Sequence, residues 1–114
     1  MLPELLEIVR NAAAEKKGEE ITVIDLVGKS IIADCFVLVT GRSKIQTRSI
    51  ADGISGAVRE NAFSVSHTEG YGEGSWILLD LGTVVVHVFT PEQRSFYNLE
   101  RLWANNQDRR VQSS

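Results

Sequence analysis

The chain has 114 residues, 43% of them apolar and 24% charged, with 12 Lys plus Arg against 15 Asp plus Glu and a formal net charge of −3. That length suits one domain with one core, and the negative balance lacks the basic excess that carries binding to phosphate backbones. One cysteine, Cys35, excludes an internal disulfide framework and a Cys-based zinc cage, and suits a reducing compartment.

Met1 to Glu4 places a carboxylate where a signal peptide needs positive charge, and no apolar run approaches the ~18 residues that span a bilayer. A soluble cytoplasmic protein with no membrane contact is expected, organised as one domain over residues 1–104 followed by a polar tail over 105–114. The first segment has Pro3 at a plausible N1 position and apolar residues at Leu5, Leu6, Val9, Ala12 and Ala13, then Lys16-Lys17-Gly18 as a stop. This spacing predicts an amphipathic helix. Ile21 to Leu26 and Cys35 to Thr40 are short and rich in β-branched residues, which predicts two strands separated by Gly28-Lys29-Ser30. Ser43 to Ala62 repeats apolar residues at Ile50, Ala51, Ile54, Ala57 and Val58, a second helix with Ser43 as N-cap. Gly53 and Gly56 weaken that helix by about 1 kcal/mol each relative to Ala, or mark close packing on a sheet.

Phe63 to His67 is taken as a third strand, and Thr68 to Ser75 as a polar, Gly-rich loop. Trp76 to Leu81 and Val84 to Thr90 are the clearest strands, joined around Gly82 as a hairpin. Pro91 stops the second of them, and Glu92 to Trp103 suggests one or two short helices. The expected fold is α/β, a mixed sheet of about five strands with helices mainly on one face.

With Gly82 and Thr83 as the turn, Asp80 faces Val85, Leu78 faces His87 and Trp76 faces Phe89. Side chains alternate along a strand, so Ile77, Leu79, Leu81, Val84, Val86 and Val88 share one wholly aliphatic face, the expected core. The other face mixes Trp76, Leu78, Asp80, Val85, His87 and Phe89. Either a third helix covers it or it stays open as a protein-binding patch; aromatic groups beside charges favour the patch. Trp76 is then the leading anchor and Tyr97 a second.

Other chemistry is weaker. Gly41-Arg42-Ser43 joins a strand to a helix and its amides could hold an anion, which leaves a nucleotide-binding or nucleotidyl-transferring enzyme as the alternative. The acid pair that two-metal catalysis requires is missing: Asp80 stands alone. Nothing sets a ligand spacing for His67 and His87 with Glu69 or Asp34, so no metal and no cofactor is expected, and Cys35 has no neighbouring His in sequence to activate it. Lys44, Arg48 and Arg59 make a modest basic stripe on the second helix, and Arg109 and Arg110 lie in the tail; RNA contact is peripheral at most.

Asp34-Cys35-Phe36-Val37-Leu38-Val39-Thr40-Gly41-Arg42-Ser43, then Gln46, Ile50-Ala51, Glu69-Gly70, Trp76 to Asp80, Gly82 to Phe89, Arg94, Tyr97, Leu99-Glu100 and Leu102-Trp103, resemble the ribosomal silencing factor family, also called Iojap-like. The likeness runs from about residue 3 to 104 in the family's order. Cys35 stands where an aromatic residue is usual and Thr83 where an acid is usual, which removes one charge near the hairpin tip.

The resemblance implies a fold similar to a nucleotidyltransferase-like core without its catalytic carboxylates. It also implies a non-enzymatic translation repressor that binds the large ribosomal subunit through its ribosomal protein fourteen, blocks joining of the small subunit when nutrients are scarce, and forms a homodimer when free. On that reading Trp76, Leu78, His87 and Phe89 form the apolar centre of the docking patch, and Glu69, Glu73 and Asp80 oppose Lys or Arg of a basic partner.

Overall fold

The computed structural model describes residues 3–31 and 33–97, and the side chains of 4–31 and 33–95 among them. The elements follow the predicted order: α1 (Pro3–Glu15), β1 (Glu19–Asp25), β2 (Cys35–Thr40), α2 (Lys44–Glu60), β3 (His67–Glu69), β4 (Trp76–Asp80), β5 (Val84–Phe89) and α3 (Pro91–Tyr97). Tyr97 closes α3, but its side chain lies outside the described residues, as do the predicted helix beyond it and the tail.

The ends of the elements are set by local chemistry. Helix α1 stops where Lys17 takes φ 67 and the Gly18 amide reaches back to the Ala13 carbonyl at 2.8 Å, a C-terminal cap of the Schellman type. Glycine is required at 18 by packing: a Cβ there would stand 2.6 Å from Val39 Cγ1 of the sheet below. At α2, Ser43 Oγ accepts from the Gln46 amide at 3.1 Å, the predicted cap. Pro91 both ends β5 and opens α3.

The five strands form one sheet in the order β1-β2-β5-β4-β3. β2 and β5 run parallel, and the other neighbours are antiparallel. The hairpin has the predicted register, Trp76 opposite Phe89, Leu78 opposite His87 and Asp80 opposite Val85. The third strand differs from expectation. It spans His67–Glu69 rather than Phe63–His67, because β4 ends at Asp80 and offers ladder partners only to His67, Thr68 and Glu69. Phe63 and Val65 instead pack as irregular chain against the core.

The aliphatic face of the hairpin joins Cys35, Val37 and Val39 of β2 and the apolar sides of α1 and α2 in the larger core cluster. The mixed face carries a second, smaller cluster of Ile24, Leu26, Ala33, Leu38, Val85 and Phe89, with Phe36, Trp76 and Leu78 packed at its margin. The two long helices thus lie on one side of the sheet. Among the described residues no helix is long and apolar enough to cross a membrane.

Candidate docking face

Register places the mixed face in three rows. Ile24, Phe36, Val85, Asp80 and His67 form one, Thr22, Leu38, His87, Leu78 and Glu69 the next, and Thr40, Phe89 and Trp76 the third. Apolar groups therefore occupy the middle strands, while Asp80, His67 and Glu69 line the β3–β4 side.

The accessible part of the face is narrower than expected. Trp76, Leu78 and Asp80 are half-buried, but His87 is only 6% exposed and Phe89 is fully buried. These two belong to the floor of the patch. β5 is the central strand, and its side chains lie beneath the larger ones of β2 and β4: the Phe36 ring meets His87 edge-on at 4.6 Å between centroids, and Trp76 leans over both His87 at 5.9 Å and Phe89 at 5.5 Å. Phe36 takes the place at the surface that had been expected for His87 and Phe89.

Trp76 Nε1 donates to His87 Nδ1 at 3.1 Å. The indole nitrogen is a donor only, so Nδ1 is the acceptor and the neutral ring carries its proton on Nε2. Burial pushes the His87 pKa down to about 4, which keeps the ring neutral near neutral pH.

The acidic residues divide. Asp80 is on the face, and its Oδ1 also accepts from the Gly82 amide at 2.9 Å, pinning the hairpin tip where Gly82 has φ 96. Glu69 is exposed and paired with His67 at 2.8 Å. Glu73 does not join them. It accepts from the backbone and hydroxyl of Ser75 and pairs with Lys44 at 3.2 Å, contacts that turn it toward the N-terminus of α2 and hold its carboxyl down to about 2.

The same contacts account for the basic stripe. Arg48 donates to the Tyr71 and Gly72 carbonyls at 3.0 and 2.9 Å, and Lys44 meets Glu73, so two of its three cations bind the loop over residues 70–75. That loop leads directly into Trp76. Its Gly70 has φ 80, and a Cβ there would fall 2.1 Å from the Trp76 carbonyl oxygen. The cations thus serve to set the approach to β4.

The Gly41–Ser43 turn is committed to capping: the Arg42 amide donates to Gln46 Oε1 at 2.7 Å and the Gln46 amide to Ser43 Oγ. Arg42 itself pairs with Glu19 at 2.6 Å. Cys35 is buried, and burial raises its thiol pKa, the opposite of what a nucleophile needs. Among the described residues no group of three or more His, Cys, Asp or Glu is placed to hold a metal.

Sequence reasoning left Arg94 without a role. It is 7% exposed, and its guanidinium donates to the Glu20 carbonyl at 2.7 Å, Thr40 Oγ1 at 2.9 Å and Thr22 Oγ1 at 3.0 Å while lying 5.7 Å above the Phe89 ring. It fastens α3 to the β1–β2–β5 end of the face.

Comparison with known proteins agrees with the residue pattern. The sequence model of the family described as "Ribosomal silencing factor during starvation" matches residues 1–114. A Bacillus subtilis protein named ribosomal silencing factor is 43% identical over 101 residues, covering 89% of this chain and 86% of that one. Among solved structures, a Bacillus halodurans protein is 38% identical with a TM-score of 0.82, over 90% of this chain and 95% of the other. A Chromobacterium violaceum protein is 29% identical with a TM-score of 0.89, over 91% of this chain and 87% of the other. The family model over the whole length, the identity to a named member and the shared fold agree: the chain belongs to the ribosomal silencing factor family.

Proposed function

We propose that this chain is a non-enzymatic repressor of translation that docks on the large ribosomal subunit and obstructs joining of the small subunit when nutrients are limiting. The observation that carries this is the mixed face, where Trp76, Leu78 and Phe36 offer a half-buried apolar centre beside Asp80 and Glu69. A desolvated aromatic centre provides residence time, and flanking acids speed encounter with a basic surface. Ribosomal proteins supply such surfaces, and the family resemblance points to ribosomal protein fourteen of the large subunit. A partner of that kind reconciles a net charge of −3 with work on a ribonucleoprotein. Obstruction asks for a docking face and bulk rather than an active site, and it places the protein in the cytoplasm with the ribosomes. A homodimer in the free state belongs to the same reading.

Gradient co-sedimentation with isolated large and small subunits is the direct test. The protein should travel with large subunits, and Trp76→Ala should weaken binding by about 2 kcal/mol or more, roughly 30-fold. Unchanged co-sedimentation of a folded Trp76→Ala variant would remove the face from the reading.

A further inference from the structure

Among the described residues, Nε2 of His87 is the buried side-chain polar atom left without a hydrogen-bond partner. It is a donor, because Nδ1 is occupied by the Trp76 indole N–H. A buried donor without an acceptor is costly, and native proteins keep few of them. A buried water needs two to four polar partners, whereas His87 has Leu38 and Leu78 as its cross-strand neighbours and the rings of Phe36, Trp76 and Phe89 around it. An apolar residue would fill this position without the unsatisfied donor and would give up only the acceptor of the half-buried Trp76 indole, so packing alone does not call for an imidazole here.

The atom lies under the centre of the proposed docking face, next to the half-buried Trp76. We infer that His87 Nε2 is a recognition donor, which an oxygen of the docked protein partner takes up while the Trp76 indole N–H holds Nδ1. This rests on the docking reading above and adds its specificity element: the partner must bring an acceptor, such as a peptide carbonyl or carboxylate, to one point among the aromatic groups. An apolar knob of the same shape would leave the donor unsatisfied and would be discriminated against.

Substitutions at His87 separate recognition from folding. The amide nitrogen of a glutamine reaches the place of Nε2, whereas that of an asparagine reaches only the place of Nδ1. His87→Gln is expected to bind large subunits within about threefold of the unsubstituted protein. His87→Asn and His87→Leu should bind about tenfold more weakly, the loss of one hydrogen bond. The melting temperature of His87→Leu should meanwhile be unchanged or higher. Equal binding by the Gln and Asn variants, or binding by His87→Leu at the unsubstituted level, would overturn the inference. If His87→Leu does not fold, the Gln and Asn pair decides alone. Trp76→Ala is run alongside: if it binds normally the docking reading itself fails, and if it loses binding while all His87 variants keep it, only the role of His87 fails.

Discussion

The Arg94 guanidinium donates to Thr40 Oγ1 at 2.9 Å, joining residues 54 positions apart. Thr40 closes β2 and Arg94 lies in the second turn of a seven-residue helix. A helix that short has little stability of its own, and the buried guanidinium ties it to the sheet. It does so by satisfying the Glu20 carbonyl and two threonine hydroxyls that would otherwise face the underside of α3.

Arg94→Ala should therefore destabilise the protein by about 2–3 kcal/mol, because the buried Thr40 hydroxyl and the part-buried bonds to the Glu20 carbonyl and the Thr22 hydroxyl lose a charged donor together. Arg94→Lys should recover only part of this, since an ammonium cannot reproduce the planar fork of donors. Urea denaturation of both variants measures it. A loss under 0.5 kcal/mol in Arg94→Ala would show that α3 is held by other contacts.

The two glycines of α2 behave differently from each other. A Cβ at Gly53 would meet the Lys16 side chain at 2.7 Å, so this glycine admits the end of α1 rather than the sheet. At Gly56 nothing lies within 4 Å. Gly56→Ala should stabilise the protein by about 0.5–1 kcal/mol, the ordinary helix-propensity gain. Gly53→Ala should gain less, since the Lys16 stem must move. Thermal melts of the two variants give the comparison, and destabilisation by Gly56→Ala would show packing at that position.

The hairpin was the legible part of the fold, for a physical reason. A two-residue turn fixes register, and strict alternation then assigns every side chain of β4 and β5 to a face. What local pattern does not carry is the height of the neighbours. His87 and Phe89 were correctly placed on the mixed face, yet their burial depends on Phe36 and Trp76 standing over them. Phe36 reaches that position through the parallel pairing of β2 with β5, which joins segments far apart in the chain. The contact of Arg94 with Thr40 is equally remote. The pairing of Glu73 with Lys44 was equally out of reach, because the cation is brought to it by the packing of α2 rather than by sequence proximity.

Asp80 offers a test of electrostatic steering that spares the hairpin. Its carboxylate both faces outward and accepts from the Gly82 amide; Asp80→Asn keeps an acceptor at the tip and removes the charge. Association with large subunits at low ionic strength should slow two- to fivefold, with dissociation little changed, and the difference should vanish at high salt. Stopped-flow or surface-binding kinetics would show this. An on-rate unaffected at low salt would mean that Asp80 does not face a basic partner.

The pH dependence of stability has a defined sign at His87. Its pKa falls from 6.5 in the unfolded chain to about 4 in the folded protein, through burial. Between those values the unfolded chain binds a proton that the folded protein refuses, so acidification favours unfolding. The stability tied to the neutral ring is fully present above pH ~6.5, declines as pH falls through this window, and is lost at and below pH ~4, by up to about 3 kcal/mol. Glu73, held down to about 2, adds a loss in the same direction at lower pH, once the solution passes below its usual carboxylate range. Urea denaturation between pH 7 and 4 should show this decline in the unsubstituted protein, and His87→Gln, which does not titrate, should flatten the slope between pH 6.5 and 4.5. Parallel slopes for the two proteins would mean that His87 accepts its proton as readily in the folded protein as in the unfolded chain.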